Sequence, residues 1–177
     1  MPTRELFAGP RLDVTLRRLA HQIIERHQQF DDLCMIGIQP RGVFLGRRLH
    51  QLLDEILPQN DLPYGELDVT FHRDDFRRRD RPITPNETKI DFVVEDKTVL
   101  LVDDVLCTGR TIRAAMDALL AFGRPRHIEL LVLVDRMRQR DVPVSADYVG
   151  QAIETVESEN VIVDWHAEGK ATVRIER

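Results

Sequence analysis

Asp103 and Asp104 stand side by side after Val99-Leu100-Leu101-Val102 and just before Val105-Leu106-Cys107-Thr108-Gly109-Arg110-Thr111. Adjacent carboxylates repel each other, so a chain that keeps them together needs a use for their charge. They can accept hydrogen bonds from vicinal sugar hydroxyls or bind those hydroxyls through a divalent cation. Residues 107–111 add a complementary chemistry, with one glycine, two hydroxyls and a cation. Such a loop aims several backbone N–H groups at one point, and a helix that follows it adds partial positive charge there. The ligand this pattern suggests is a phosphate monoester in the loop with a polyhydroxylated sugar beside it.

A strand and a helix must hold these groups in place. Residues 99–102 read as a strand buried on both faces that surfaces at its carboxyl end. Ile112, Ala115, Met116, Leu119 and Leu120 then recur with helical period, and Gly123 with Pro125 stops that helix. Two other readings are open. Paired acids at a strand end also form Mg²⁺ pockets in receiver domains, but those usually open the chain. The segment could also be a plain structural strand-turn-helix. The hydrophobic strand, acid pair and Thr108-Gly109-Arg110-Thr111 together resemble the phosphoribosyl-pyrophosphate (PRPP) signature of type I phosphoribosyltransferases.

The remaining chain repeats this grammar. Pro10 to about Gln28 reads as an amphipathic helix with Leu16, Leu19, Ala20, Ile23 and Ile24 inward and Arg18, His21, Gln22, Glu25 and Arg26 outward. Cys34-Met35-Ile36-Gly37-Ile38 is a buried strand that ends in Gln39-Pro40-Arg41-Gly42, and a helix with Leu45, Leu49, Leu52, Leu53 and Ile56 inward follows. Leu67-Asp68-Val69-Thr70-Phe71 alternates weakly and is expected to be a strand. It leads into residues 72–82, which have no hydrophobic period and are rich in charge, and a flexible loop over about 72–88 is expected, suited to act as a lid. Residues 128–134 form a further strand ending in Asp135-Arg136, then a polar loop, a short strand over 146–150, and a terminal hairpin of 161–165 with 171–175. Three strand-loop-helix units imply an α/β fold with a mainly parallel central sheet flanked by helices, binding its ligand at the carboxyl ends of the strands.

Length and composition agree with a single domain over residues 1–177. The chain is 42% apolar and 31% charged, with a net charge of −5. That balance argues against nucleic acid coating the whole surface, while a local basic face stays open. Its two cysteines, Cys34 and Cys107, make neither a disulfide framework nor a metal-ligand spacing. With no hydrophobic leader after Met1 and no apolar run of roughly 20 residues, a cytoplasmic location is expected.

Gly37-Ile38-Gln39-Pro40-Arg41-Gly42, Leu67-Asp68-Val69-Thr70 with Arg73-Asp74-Asp75, residues 102–115, Gly123-Arg124-Pro125, Leu133-Val134-Asp135-Arg136 and Ala146-Asp147-Tyr148-Val149-Gly150 resemble the bifunctional PyrR family over nearly the full length. That resemblance implies a type I phosphoribosyltransferase fold with a small hood. It also implies a uracil phosphoribosyltransferase that makes UMP and pyrophosphate from uracil and PRPP with Mg²⁺. By the same resemblance Asp103 and Asp104 hold the ribose hydroxyls and, indirectly with PRPP, the metal. Cys107, Thr108, Gly109, Arg110 and Thr111 take the 5′-phosphate, and Gln39, Pro40, Arg41 and Gly42 take pyrophosphate. Arg73 acts from the flexible loop, and Val134, Asp135 and Arg136 frame uracil.

Many members of this family also bind pyrimidine-operon mRNA in response to uridine nucleotides, and Arg18, His21, Arg26 and Arg138 are the corresponding RNA positions. A homodimer or higher oligomer is implied as well. The chain departs from the family at Cys107, where Tyr is usual, at Ser145 and Gln151, where basic residues are usual, and at Arg138, where His is common. An RNA-binding attenuator with vestigial catalysis, or a transferase for another base, are the alternatives.

Overall fold

The computed structural model describes residues 4–73, 85–166 and 171–177. Most of the expected charged loop, residues 74–84, and the expected hairpin turn at Glu168-Gly169-Lys170 lie outside the described residues. The elements in order are β1 (Arg4–Ala8), α1 (Pro10–Arg26), β2 (Leu33–Ile38), α2 (Gly42–Ile56), β3 (Tyr64–Leu67), β4 (Thr98–Leu106), α3 (Arg110–Leu119), β5 (His127–Arg136), β6 (Tyr148–Ile153), β7 (Asn160–Trp165) and β8 (Ala171–Glu176).

Five strands form one parallel sheet in the order β3-β2-β4-β5-β6, and β1-β8-β7 form a separate antiparallel sheet. The unbroken apolar runs follow from burial on both faces of the parallel sheet. Leu100 and Val102 of β4, with Leu131 and Leu133 of β5, face α1, α2 and the antiparallel sheet. Their neighbours Val99, Leu101, Leu130 and Val132 face α3. Truncating one of these leucines to alanine would leave a cavity costing roughly 2–5 kcal/mol. The long segments thus match the expected fold, with the antiparallel sheet as the hood.

Four details differ from expectation. β3 ends at Leu67 instead of continuing through Phe71, because the Asp68 carboxylate accepts from Thr70 N (3.1 Å), Thr70 Oγ1 (2.6 Å) and Asn86 N (3.1 Å). This side chain competes with a sheet partner for the backbone and turns the chain into a 3₁₀ turn over Thr70–His72. α1 stops at Arg26, with His27 extended and its ring bonded to Glu129 (2.8 Å).

Strand β6 begins at Tyr148 because Asp147 is taken up by Leu130, both through its own N–H and by accepting from Leu130 N. Finally, the parallel sheet holds two strand-loop-helix units, β2-α2 and β4-α3, as β5 reaches β6 through residues 137–147 with no helix between. β1 is an addition to the expected elements, a short strand with only Phe7 buried, whose sheet partner β8 lies at the other end of the chain.

Candidate active site

The acid pair lies near the end of the central strand β4, with Asp103 7% and Asp104 6% exposed. Successive strand residues project to opposite faces, so the two carboxylates leave the strand on different sides. Each feels its own cation: the Arg73 guanidinium opposes the charge of Asp103, and Arg41 that of Asp104. Burial still dominates and pushes both carboxyls above the ordinary carboxylate range, with the neighbouring Asp104 raising Asp103 further. Asp103 Oδ1 accepts from Asp104 N at 2.9 Å. Asp104 Oδ2 is buried and has no hydrogen-bond partner among the described residues. A buried acceptor left open in this way is suited to a ligand's hydroxyl or a cation.

Residues 39–42 join β2 to α2 next to this pair, since β2 lies beside β4 with Gly37 opposite Val102. Gln39 and Pro40 are linked by a cis peptide bond. Gln39 is held by β3, its N–H donating to Leu67 O at 2.9 Å and its side-chain Nε2 to Glu66 Oε2 at 3.2 Å. Gly42 opens α2 against β4 itself, where any Cβ would fall 2.3 Å from Val102 O.

On the other side of the pair, Cys107 and Thr108 form the turn into α3, and Gly109 caps it with φ 84°. This left-handed conformation costs a glycine little, and it lets the turn present its amides at the helix start. Arg110 and Thr111 begin α3. Arg110 Nε donates to Asp141 Oδ2 at 2.9 Å, and the N–H groups of Asp141 and Val142 donate to Thr108 O at 2.9 and 3.1 Å. The phosphate-type loop is therefore braced by residues 140–142 of the segment after β5.

Arg140 is the centre of that bracing. Its guanidinium donates to the carbonyls of Arg136 (3.0 Å), Val144 (3.0 Å), Leu106 (3.5 Å) and Cys107, and to the Asp135 carboxylate. The sequence reading places Arg140 in a solvated polar loop, and nothing in its spacing distinguishes it from a surface arginine.

Val134, Asp135 and Arg136 lie at the end of β5, where Val134 pairs with Val105 and Asp135 with Leu106. Arg136 is buried and donates to Thr155 Oγ1 (2.9 Å) and Glu159 O (2.6 Å), which fixes the segment after β6. Between that segment and the phosphate-type loop lies a cavity of about 640 Å³, lined by Cys107, Thr108, Arg136, Gln139, Arg140 and Thr155 among others. Gln139 spans it, accepting from Cys107 Sγ (3.3 Å) and donating to Thr155 O (3.2 Å). The volume suits a small planar ligand with room to spare.

The structure therefore brings Gln39, Pro40, Arg41, Gly42, Arg73, Asp103, Asp104, residues 107–111 and the end of β5 together at the carboxyl ends of the parallel strands. The four residues of the expected RNA face are distributed differently. Arg18 on α1 donates to Val149 O (3.2 Å) and Gly150 O (2.6 Å), and His21 is exposed on the same helix. Arg26 pairs with Glu129 (3.0 Å) and Asp147 (3.5 Å) at the amino ends of β5 and β6. Arg138 lines the cavity at the far end of β5 and pairs with Glu154 at 3.0 Å. β5 runs from His127 to Arg136, about 30 Å at strand rise, so Arg26 and Arg138 stand at opposite ends of the sheet.

Comparison with known proteins shows the family and the fold. The phosphoribosyl transferase domain family matches residues 2–168. A crystal structure of the hypoxanthine phosphoribosyltransferase of Trypanosoma cruzi superposes with a TM-score of 0.70 at 18% identity, covering 96% of this chain and 95% of that one. A hypoxanthine phosphoribosyltransferase from Staphylococcus aureus gives 0.66 at 19% identity, over 88% and 80%. The fold is thus that of the type I phosphoribosyltransferases, and the chain is a phosphoribosyltransferase.

Among sequence relatives, the Bifunctional protein PyrR of Desulfosudis oleivorans is 47% identical over 88% of this chain and 85% of its own. That of Enterococcus faecalis is 44% identical over 93% and 90%. The chain belongs to the bifunctional PyrR family. No helix among the described residues is long and apolar enough to cross a membrane.

Proposed function

We propose that the chain, acting as a single phosphoribosyltransferase unit in the cytoplasm, converts uracil and PRPP to UMP and pyrophosphate. The observation that carries this reading is the buried pair Asp103 and Asp104, faced by Arg73 and Arg41 and followed at once by the glycine-capped turn into α3. Asp103 and Asp104 accept from the ribose hydroxyls. Backbone amides of residues 107–111, with the Thr108 and Thr111 hydroxyls, hold the 5′-phosphate at the amino end of α3. Gln39, Pro40, Arg41 and Gly42 hold pyrophosphate, and Val134, Asp135 and Arg136 frame the base beside the cavity.

In the transfer, uracil N1 bonds to the ribose anomeric carbon as the bond from that carbon to the pyrophosphate oxygen breaks. The electron pair leaves on pyrophosphate, and the N1 proton passes to solvent. Arg41 and Arg73 stabilise the negative charge that develops on the leaving group, while the acid pair supports positive charge on the sugar. No side chain here need act as a general base.

The donor set suits magnesium, because it consists of carboxylate oxygens and includes the buried, unpartnered Asp104 Oδ2. Asp103 and Asp104 would hold the ion indirectly, together with bound PRPP, and when bound it supplies positive charge at the diphosphate.

The test is to incubate the purified protein with magnesium, PRPP and each base in turn. UMP formed from uracil supports the assignment. Product from hypoxanthine or orotate, with none from uracil, replaces it with a transferase for another base.

The family's bifunctional name supports a second activity, UMP-responsive binding of a pyrimidine-operon mRNA leader through Arg18, His21, Arg26 and Arg138. Arg18, Arg26 and Arg138 are engaged within the chain, so RNA phosphates must displace or share those partners. Binding is then expected to weaken steeply with salt. A titration with such a leader, with and without UMP, that shows no sequence-selective retention removes this activity; retention without turnover makes the protein an attenuator with vestigial catalysis. A homodimer or higher oligomer is part of the same proposal, and sedimentation measures it.

A further inference from the structure

Glu66 is a buried acid for which the transfer itself has no use. It sits in β3, 7% exposed, with its main chain fixed from both directions: its N–H donates to Lys89 O and its carbonyl accepts from Lys89 N, each at 2.8 Å. Its carboxylate divides between two donors. Oε1 takes Arg47 Nε at 2.6 Å and Arg47 Nη2 at 2.5 Å, while Oε2 takes Gln39 Nε2 at 3.2 Å. A buried carboxylate is tolerated only when paired and hydrogen-bonded, and here both oxygens are occupied.

These bonds converge on the start of residues 39–42. The Gln39 main chain is tied to Leu67 O at 2.9 Å, and its amide nitrogen also approaches Glu87 O at 3.4 Å. Gln39 is therefore gripped through backbone and side chain by one strand, immediately before the cis bond to Pro40 and the guanidinium of Arg41. A negative group next to an anion-binding loop would oppose its ligand. Arg47, reaching from α2, neutralises Glu66 and leaves Arg41 free to face Asp104 and whatever anion enters.

We propose that Glu66 is a positioning residue that, with Arg47, sets the shape of residues 39–42 through Gln39 and so tunes affinity for the diphosphate of PRPP and for pyrophosphate. This rests on the reading of residues 39–42 as the pyrophosphate loop. Among the described residues the bonds of Glu66 go to Gln39, Arg47 and Lys89 and not to β4 or residues 107–111, so a ligand without a diphosphate does not depend on it. UMP is such a ligand and serves as the internal control.

The experiment is calorimetric titration of the intact protein with magnesium pyrophosphate and, separately, with UMP. Glu66→Gln keeps the shape but gives two donors a single acceptor oxygen, removing a charge-assisted bond. The expected result is about tenfold weaker pyrophosphate binding, a matching rise in KM for PRPP, kcat little changed, and UMP affinity unchanged. Arg47→Gln, which leaves Gln39 in place while taking the counter-charge from Glu66, is expected to give the same selective loss even if Glu66→Gln folds poorly.

Equal weakening of UMP and pyrophosphate in both variants overturns the proposal in favour of a general structural role, as does no weakening of either ligand. Arg41→Ala separates this from the underlying reading. If Arg41→Ala weakens pyrophosphate and the Glu66 and Arg47 variants do not, only the positioning role fails. If Arg41→Ala leaves pyrophosphate affinity intact, the loop assignment itself fails.

Discussion

Gly42 and Asp103 touch backbone to backbone: a Cβ on Gly42 would stand 2.9 Å from Asp103 Cα and 3.2 Å from Asp103 Oδ1. The loop after β2 and the acid pair of β4 are thereby one rigid unit, although Asp103 comes 61 positions after Gly42.

Gly42→Ala is expected to destabilise the protein by about 1–3 kcal/mol, since the methyl group has backbone on its near side and no flexible side chain to displace. Urea unfolding measures this, and PRPP turnover is expected to fall with it. An unchanged midpoint would show that α2 can retreat from β4 at no cost.

Asp103→Asn removes a buried charge that has a like charge on the next residue, while its Oδ1 can still accept from Asp104 N. We expect the ligand-free protein to gain about 1 kcal/mol of stability at neutral pH. Turnover is expected to fall at least ~100-fold, because the lost charge supports the transition state. A thermal melt and an activity assay on the same preparation check both halves. A variant that is less stable and fully active contradicts the site.

The raised native values of Asp103 and Asp104 also set a pH response. A carboxyl held higher in the native state than in the unfolded chain favours the native state while protonated, and that contribution is lost as pH rises through the native value. Binding of PRPP needs the ionised pair, so its affinity is expected to fall on acidification well before ordinary carboxylates protonate at about 4. Titrating PRPP affinity against pH tests this, and Asp103→Asn should shift the midpoint downward by removing the carboxyl that is pushed up further.

Arg140→Gln removes a guanidinium that serves the backbone on both sides of the cavity, and its side chain is only 20% exposed. A loss of roughly 2–3 kcal/mol is expected, less than for a fully buried pair because some solvent reaches it. Arg140→Lys is expected to recover little, since one ammonium cannot serve the several acceptors arranged around the planar fork. Denaturant unfolding and UMP binding, measured for both variants, should fall together.

The two thiols should react very differently. Cys34 is fully buried, and desolvation pushes its thiol up to about 11, so it is expected to resist alkylation until the protein unfolds. Cys107 is half-buried at the phosphate-type loop and should be the thiol modified in the native protein, at a rate that UMP slows. Peptide mapping after brief alkylation distinguishes the two. Modification at Cys107 that UMP does not affect would place the nucleotide elsewhere.

Features whose information is local are legible in the chain alone. The doubly buried strands announce themselves as unbroken apolar runs, α1, α2 and α3 as periodic stripes, and the switch from Val102 to Asp103 as the point where a buried strand must meet something polar. Residues 39–42 and 107–111 were legible for the same reason, each lying between a strand and a helix.

Tertiary structure decided what depends on distant partners. Asp68 ends β3 early because Asn86 and Thr70 claim its carboxylate, and β1 exists because β8 offers it an edge. Nothing in the chain marks Arg140 or Glu66 until folding surrounds them with acceptors and donors from 33, 27 or 19 residues away. The expected RNA cations split between opposite ends of β5 for a related reason: their types are written in the chain, but the lengths and packing of α1 and β5 fix where each one stands.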